Sequence, residues 1–251
     1  KRFLPALAIR SASVLDVGCA AGGFAAIWRH YNPAIEYTGV DVSQVLIEHA
    51  RQRYPHGFRF LQGDMSQGLP LSARYAYTVQ ALGCLHWDTE YAASLRELWR
   101  LTDRFLFFDI RLVSGLAEEI RGQQKMELSS AWDGRTTTPY LVVDWARFVD
   151  LILSLNPRLI LGYGYMGQPA KSVIHVDRSV CFAAFVLEKR PAGAPGGHPT
   201  VCLDMPYTWP SEAQEPVSVL PPSCLDGLLR GSVELVEHAY ETQSGLMENA
   251  C

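Results

Sequence analysis

A strand that stops abruptly in a run of small residues constrains this chain more than any other feature. Residues 14–24 read VLDVGCAAGGF, in which an apolar strand pattern gives way to small side chains from Gly18 to Gly23. Such a turn lets backbone N–H groups approach a ligand closely, and the helix that follows points its positive end at the same place. The stretch therefore predicts the strand–turn–helix unit that holds nucleotide-like ligands.

The turn departs from the dinucleotide fingerprint G-x-G-x-x-G, because Ala20 stands where the second glycine belongs. A glycine-rich turn alone does not separate a cofactor site from an ordinary tight turn. Alanine fits this position when its φ angle is negative, so a negative φ is expected at Ala20.

Strand and helix patterns alternate five times with short connections. This alternation predicts an α/β fold with a doubly wound, mostly parallel sheet and right-handed crossovers. The five predicted strands are Ser13–Val17, Glu36–Val40, Phe58–Leu61, Tyr75–Ala81 and Arg104–Ile110.

Residues 112–158 interrupt the alternation and are expected to form a helical insert that covers the site. Two helical patterns lie in it, Ala117–Ser130 and Asp144–Leu155. Two strand-like runs follow without a helix between them, Arg158–Tyr165 and Ser179–Glu188. They predict a closing antiparallel pair at the end of the sheet.

The composition changes after Lys189, since residues 190–251 hold 8 of the 15 prolines. We therefore predict one domain over residues 1–189 and a Pro-rich linker with a C-terminal extension over residues 190–251. Residues up to Pro222 are expected to be irregular and outside the catalytic core. One amphipathic helix is predicted over residues 225–247, docking on its own chain or forming a homodimer with a second subunit.

Charge and cysteine content narrow the function classes. The formal net charge is −4 and no long basic run exists, which disfavours a nucleic-acid partner. No apolar run approaches the ~20 residues of a membrane span. The six cysteines form no C-x-x-C pair. We expect a cytoplasmic protein with reduced thiols, no signal peptide, no zinc site, and no carboxylate cluster for Mg²⁺.

With these strands placed, residues 13–188 resemble the class I S-adenosylmethionine-dependent methyltransferases. VLDVGCAAGG is similar to that family's first motif, GVDVS to the second, QGDM to the third, and VQALGCLHW to the region after strand four. Each motif alone is weak, but four in the right order form a strong signal. The resemblance implies a Rossmann-like seven-stranded sheet with an antiparallel last strand, and S-adenosyl-L-methionine as the cofactor.

The resemblance also implies which residues bind the cofactor. Asp41 stands where the family holds the ribose hydroxyls, and one carboxylate can accept from both. Asp64 and Met65 stand where the family contacts the adenine. The full implied set is Asp16, Gly18, Cys19, Ala20, Gly22, Asp41, Val42, Asp64, Met65, Gln80 and Ala81.

The candidate catalytic residues are His86, Arg111 and Tyr140, near the ends of strands four and five and in the insert. Methyl transfer needs mainly alignment, with a general base only when the acceptor must lose a proton. His86 has a suitable pKa range, although packing against Trp87 explains it equally well. Arg111 could bind a carboxylate or phosphate, or be a solvated loop arginine.

These features predict methyl transfer from S-adenosylmethionine to a small-molecule acceptor, an O- or N-methylation of a natural-product or sugar-like substrate. Two alternatives stay open, a catalytically silent methyltransferase-fold binding module and an NAD(P)-dependent Rossmann oxidoreductase. No Y-x-x-x-K pair supports the oxidoreductase. The N-P-P-Y or D-P-P-Y of amino-methylating nucleic-acid and protein enzymes is also missing, since residues 80–83 read QALG.

Overall fold

The computed structural model describes residues 3–116, 118–125, 136–210 and 218–230, which form an α/β fold. The strands are β1 Ser13–Val17, β2 Glu36–Asp41, β3 Arg59–Gln62, β4 Ala76–Ala81, β5 Thr102–Val113, β6 Ile120–Lys125, β7 Thr137–Asp144, β8 Pro157–Gly167, β9 Val173–Ile174, β10 Val180–Lys189, β11 Thr200–Asp204 and β12 Ser218–Leu220. The helices are α1 Leu4–Arg10, α2 Gly23–Tyr31, α3 Gln44–Arg53, α4 Tyr91–Leu101, α5 Trp145–Ser154 and α6 Leu225–Arg230.

The principal sheet runs in the order β12-β11-β8-β10-β5-β4-β1-β2-β3. Strands β1 to β5 pair in parallel, whereas β10 is antiparallel to both of its neighbours, β5 and β8. The predicted α/β fold with a mostly parallel central sheet is confirmed, and β10 is the predicted antiparallel strand. The predicted count of seven strands and the terminal place of β10 are not, since β11 and β12 follow it and nine strands lie along this path in the described residues. Because β1 to β4 are parallel, the loops that follow them meet at one edge of the sheet, where open α/β sheets bind ligands.

The core explains why these segments fold as they do. Residues 105–108 of β5 are all apolar and buried, as expected for a strand covered on both faces. Helix α4 buries Leu95 and Leu98 at a spacing of one turn, and α2 buries Trp28 completely. The apolar face of each helix thereby fixes the loop at its amino end against the sheet edge.

The insert differs from the prediction in its first half. The predicted helix Ala117–Ser130 is wrong over its described part, since Ile120–Lys125 forms β6 and pairs antiparallel with β7. Residues 126–130 lie outside the described residues. The second predicted helix is α5, where the Asp144 carboxylate accepts a hydrogen bond from the Ala146 N–H at 2.9 Å. In its described residues the insert is thus a β-hairpin followed by one helix.

The hairpin is anchored to the end of the central sheet. The last residues of β7 pair in parallel with the last residues of β5, with Leu112 opposite Val143. This attachment joins β6 and β7 to the sheet at the carboxyl end of β5.

The chain after residue 189 also departs from expectation. β11 pairs in parallel with β8, and its Val201 and Cys202 are fully buried. β12 pairs with β11, and α6 buries Leu225. The sheet therefore continues past the predicted domain boundary, and residues 190–222 are not uniformly irregular. The predicted helix beyond Arg230 lies outside the described residues.

None of the helices in the described part of the chain has the length and apolar content needed to span a membrane. Within the same ranges, no group of three His, Cys, Asp or Glu side chains is placed to hold a metal ion.

Candidate functional site

A cavity of about 480 Å³ lies at the carboxyl edge of the sheet, after β1, β2, β3 and β4. Its size falls within the range of small-molecule sites, roughly 300–1,000 Å³. The lining residues come from four strand-end loops and from β7: Val17, Gly18, Ala20, Asp41, Val42, Ser43, Leu46, Gly63, Asp64, Met65, Ser66, Gly83, Cys84, Trp87, Asp88 and Thr138.

The turn after β1 has a geometry that requires glycine at Gly18. The φ angle there is +76°, and a Cβ atom would lie 2.9 Å from the Cβ of Cys84. The N–H groups of Gly18 and Cys19 both donate to the Val40 carbonyl, at 2.8 and 3.0 Å. These bonds tie the turn to the end of β2, so the two cofactor-side loops are held as one unit.

Ala20 adopts a left-handed conformation, with a φ of +46°. The expected negative φ at this position is therefore wrong. The reason is a hydrogen bond, because in this conformation the Ala20 N–H donates to Asp41 Oδ2 at 2.8 Å. A left-handed residue with a Cβ carries a strain of roughly 1–2 kcal/mol, which the surrounding turn sustains.

Substituting glycine for Ala20 should therefore raise the free energy of unfolding by about 0.5–1 kcal/mol. Glycine relieves the left-handed strain of the folded state, and this gain exceeds the stability lost because glycine makes the unfolded chain more flexible. Urea unfolding followed by circular dichroism measures the change. Ala21→Gly is the matched control, because φ at Ala21 is not positive. The control should lose stability, and a loss of stability in Ala20→Gly as well would contradict the strain assigned to this turn.

Two carboxylates at neighbouring strand ends line the cavity. Asp41 accepts from the Ala20 N–H and, through Oδ1, from the Ser43 N–H at 2.9 Å. Asp64 Oδ1 accepts from the Ser66 N–H at 2.9 Å and from the Ser66 hydroxyl at 2.7 Å. An ionised carboxylate has about four acceptor positions, so both side chains are held in place and can still accept hydrogen bonds from a ligand.

Asp16 and Gln80 belong to a buried network instead of the cavity surface. Tyr37 Oη donates to Asp16 Oδ2 at 2.5 Å, and Gln80 Nε2 donates to Asp16 Oδ1 at 2.8 Å. Trp28 Nε1 donates to Gln80 Oε1 at 3.0 Å. Burial raises the pKa of Asp16 to about 6, and the two hydrogen bonds oppose that rise. The network joins β1, β2, β4 and α2 directly beneath the turn.

The implied cofactor residues thus divide into two groups. Six line the cavity: Gly18, Ala20, Asp41, Val42, Asp64 and Met65. The other five are not among its lining residues and are buried: Asp16, Cys19, Gly22, Gln80 and Ala81. The second group forms and supports the turn, and ligand contact remains a prediction for every member of the set.

The three candidate catalytic residues come together but do not line the cavity. The rings of His86 and Tyr140 lie 5.3 Å apart, and both side chains are buried. Burial, and to a smaller extent the positive charge of the Arg111 guanidinium, lower the pKa of His86 to about 4, and the Asp109 carboxylate opposes this shift. Burial raises the pKa of the Tyr140 hydroxyl, and the neighbouring Arg111 opposes that rise. His86 is therefore a neutral imidazole at physiological pH.

The site residues predicted from the sequence do not include Trp87, Thr138 or Asp109. Trp87 lines the cavity with its ring fixed, because Nε1 donates to Gln124 Oε1 of β6 at 2.9 Å. Thr138 reaches the cavity from β7. Asp109 accepts the Gly83 N–H. Asp109 could have been found from the sequence, since it is a carboxylate near the end of a buried strand, as Asp41 is. Trp87 and Thr138 depend on the hairpin.

The family comparison agrees with this geometry. A family model described as a methyltransferase domain matches residues 14–104, which span β1 to the start of β5 and every loop that carries the cavity's carboxylates. Residues 14–104 are therefore a class I S-adenosylmethionine-dependent methyltransferase domain. Its cofactor is S-adenosylmethionine. The NAD(P)-dependent oxidoreductase alternative is thereby set aside.

Solved structures similar to this methyltransferase show the same fold at low identity. The arsenic(III) S-adenosylmethionine methyltransferase of Chlamydomonas reinhardtii is 15% identical with a TM-score of 0.52, over 74% of this chain and 66% of that one. The YcgJ protein of Bacillus subtilis is 15% identical with a TM-score of 0.50, over 75% and 98%.

A shorter match covers only about half of the other chain. It is a putative S-adenosylmethionine-dependent methyltransferase from Methanococcus maripaludis, 16% identical with a TM-score of 0.38, over 42% of this methyltransferase and 54% of that chain. A comparison with curated proteins finds no match.

Proposed function

We propose that this methyltransferase methylates a small-molecule acceptor held beside residues 83–87 and beneath the β6–β7 hairpin. The observation that carries the proposal is the single cavity surface that runs from Asp41 and Asp64 to Trp87 and Thr138. One end of this cavity carries two carboxylates that can accept hydrogen bonds from a nucleoside. Thr138 of the insert lines the other end. A net charge of −4 also suits a small molecule better than a nucleic acid.

In this proposal Asp41 accepts from the ribose hydroxyls and Asp64 from the adenine amino group, while the Gly18 turn faces the amino-acid end of the cofactor. The residues fit that group, because both carboxylates are already oriented by backbone donors. The cofactor supplies a methyl group on a positively charged sulfur, which is activated before it binds. The protein therefore has to align the acceptor and exclude water.

The acceptor end is built for alignment. Trp87 offers a flat wall whose orientation is fixed by Gln124, and Thr138 closes the cavity from the hairpin. The described lining residues include no histidine or lysine that could remove a proton near neutral pH. We infer that alignment between these two walls, more than proton transfer, carries the reaction. An O- or N-methylation of a natural-product or sugar-like compound fits within this scheme.

His86→Gln is expected to turn over within about threefold of the parent enzyme, because the imidazole is buried and neutral. Initial rates of S-adenosylhomocysteine release, with an acceptor found by screening, measure this. A loss of about 10²–10⁴ in turnover with unchanged cofactor affinity would instead establish His86 as a general base. In that case Arg111 and Tyr140, its neighbours in the structure, would be the next residues to substitute.

Two measurements separate this function from its alternative. Calorimetry should show that the protein binds S-adenosylhomocysteine and prefers it to NADH. A panel of small hydroxyl and amine compounds should then yield a substrate that releases S-adenosylhomocysteine. Tight cofactor binding without turnover on any compound would favour the catalytically silent binding module.

The remaining predictions about partners and location belong to the same proposal. A homodimer through residues 190–251 would appear in sedimentation as twice the chain mass of 27.9 kDa. The lack of a nucleic-acid partner is expected from the charge, and a cytoplasmic location from a cysteine pattern without C-x-x-C pairs.

A further inference from the structure

The carboxylate of Asp109, near the end of β5, reaches the loop that forms the floor of the cavity. Its Oδ1 accepts the N–H of Gly83 at 2.5 Å, and its Oδ2 pairs with Arg111 Nη1 at 2.7 Å. The Asp109 side chain is 20% exposed and the Arg111 side chain 13%. A carboxylate that accepts an N–H makes a stronger hydrogen bond than a neutral acceptor would.

The N–H that Asp109 holds belongs to a residue whose position matters to the cofactor. Gly83 lines the cavity and has a left-handed φ of +75°, so its peptide orientation is not fixed by ordinary strand or helix geometry. Cys84, the next residue, packs closely against Gly18. A Cβ atom added to Gly18 would lie 2.9 Å from the Cβ of Cys84. The Asp109–Gly83 bond therefore sets where residues 83–84 meet the turn after β1.

Asp109 is itself prevented from turning away. The Arg111 guanidinium lies 4.8 Å from the centroid of the Phe182 ring on β10, and Phe182 stacks on Tyr165 of β8 at 5.5 Å. A guanidinium held between a carboxylate and an aromatic face keeps both its position and its charge. The support for Gly83 thus extends across β5, β10 and β8.

We propose that Asp109 is a positioning residue for methyl transfer, which fixes the Gly83 amide so that residues 83–84 present a rigid floor to the cofactor and the acceptor. This inference rests on the proposed function. It assigns to Asp109 an effect on the reaction through the loop, without contact with the reacting atoms. Arg111 then serves as the clamp on Asp109 and not as a ligand for an anionic substrate.

The test compares Asp109→Ala and Asp109→Asn with Asp103→Asn. Asp103 lies at the other end of β5 and pairs with Arg74 at 2.8 Å, so it matches Asp109 in strand and partner type but not in location. Calorimetry with S-adenosylhomocysteine is the primary measurement. Asp109→Ala should bind it about tenfold more weakly, and Asp109→Asn, which keeps an oxygen for the Gly83 N–H, within about threefold. Asp103→Asn should bind S-adenosylhomocysteine with the same affinity as the parent.

A second measurement keeps the proposal testable if Asp109→Ala does not fold. In an NMR spectrum of the labelled protein, the Gly83 amide proton should resonate downfield in the parent and move upfield in Asp109→Asn, whose acceptor is neutral. Asp103→Asn should leave it in place.

The proposal is overturned by affinity within twofold of the parent in Asp109→Ala, by equal weakening in Asp103→Asn, or by an unmoved Gly83 amide in Asp109→Asn. Failure of the parent to bind S-adenosylhomocysteine at all would refute the proposed function instead, so the two failures are distinguishable. With an acceptor in hand, Asp109→Asn should lower turnover more than it raises the KM for the cofactor, a split that a general loss of stability would not produce.

Discussion

Replacing Asp41 with alanine is expected to weaken S-adenosylhomocysteine binding about ten- to hundredfold, which corresponds to roughly 1.5–3 kcal/mol for one charged hydrogen-bonding group. Two effects combine in this loss. The ligand loses a carboxylate acceptor, and the Ala20 and Ser43 N–H groups lose the partner that orders the turn. Isothermal titration calorimetry measures the dissociation constants directly.

Glu36→Ala is the matched control for Asp41, since Glu36 is an exposed carboxylate at the opposite end of the same strand. It should leave the affinity unchanged. Asp41→Asn should fall between the parent and Asp41→Ala, because the amide oxygen still accepts a hydrogen bond but carries no charge. A dissociation constant in Asp41→Ala equal to that of the parent would rule out the cofactor position proposed for this cavity.

Truncation after Arg190 is expected to unfold or aggregate the protein. The deletion removes β11, β12 and α6, and with them the buried side chains of Val201, Cys202, Leu220, Leu225 and Leu228. Fully burying one large apolar side chain contributes about 1.5–3 kcal/mol, so the sum is comparable with the roughly 5–15 kcal/mol of a whole domain. The backbone of β8 would also lose its β11 partner.

A truncation after Arg230 provides the control, because it keeps every described element. It should bind S-adenosylhomocysteine within about threefold of the full chain and retain a cooperative thermal transition. Size-exclusion chromatography and calorimetry on both proteins decide the matter. A monomeric 1–190 fragment with near-parental affinity would show that the catalytic core ends at the domain boundary predicted from the proline content.

The first half of the fold follows from local signals. The predicted bounds of strands β1 to β5 lie close to the observed ones, because apolar runs and helical spacing alternate there without interruption. The start of α3 is also fixed locally, since Ser43 Oγ accepts the Leu46 N–H at 3.3 Å. The carboxylates Asp41 and Asp64 could be placed because a strand-end position fixes the edge of the sheet at which a side chain lies.

What the sequence did not predict depends on partners distant in the chain. β6 contains Arg121, Gln123 and Lys125, a polar stretch that becomes a strand because β7 pairs with it. β11 is a five-residue run among prolines, and it is ordered because β8 offers it an open edge. The left-handed Ala20 is sustained by a hydrogen bond to Asp41, 21 residues away. No local pattern carries that information.

β11 and β12 also determine which strands lie at the edges of the principal sheet. Without β11 and β12, one border would be β8, an eleven-residue strand whose row of N–H and C=O groups would invite pairing with another chain. In the structure, the two edge strands are β12, with three residues, and β3, with four. Strands this short give an incoming β-strand few hydrogen bonds. β11 and β12 thus protect the sheet against self-association through its edge. Variants that loosen these two strands are expected to form intermolecular β-structure before they lose the helices around the cofactor cavity.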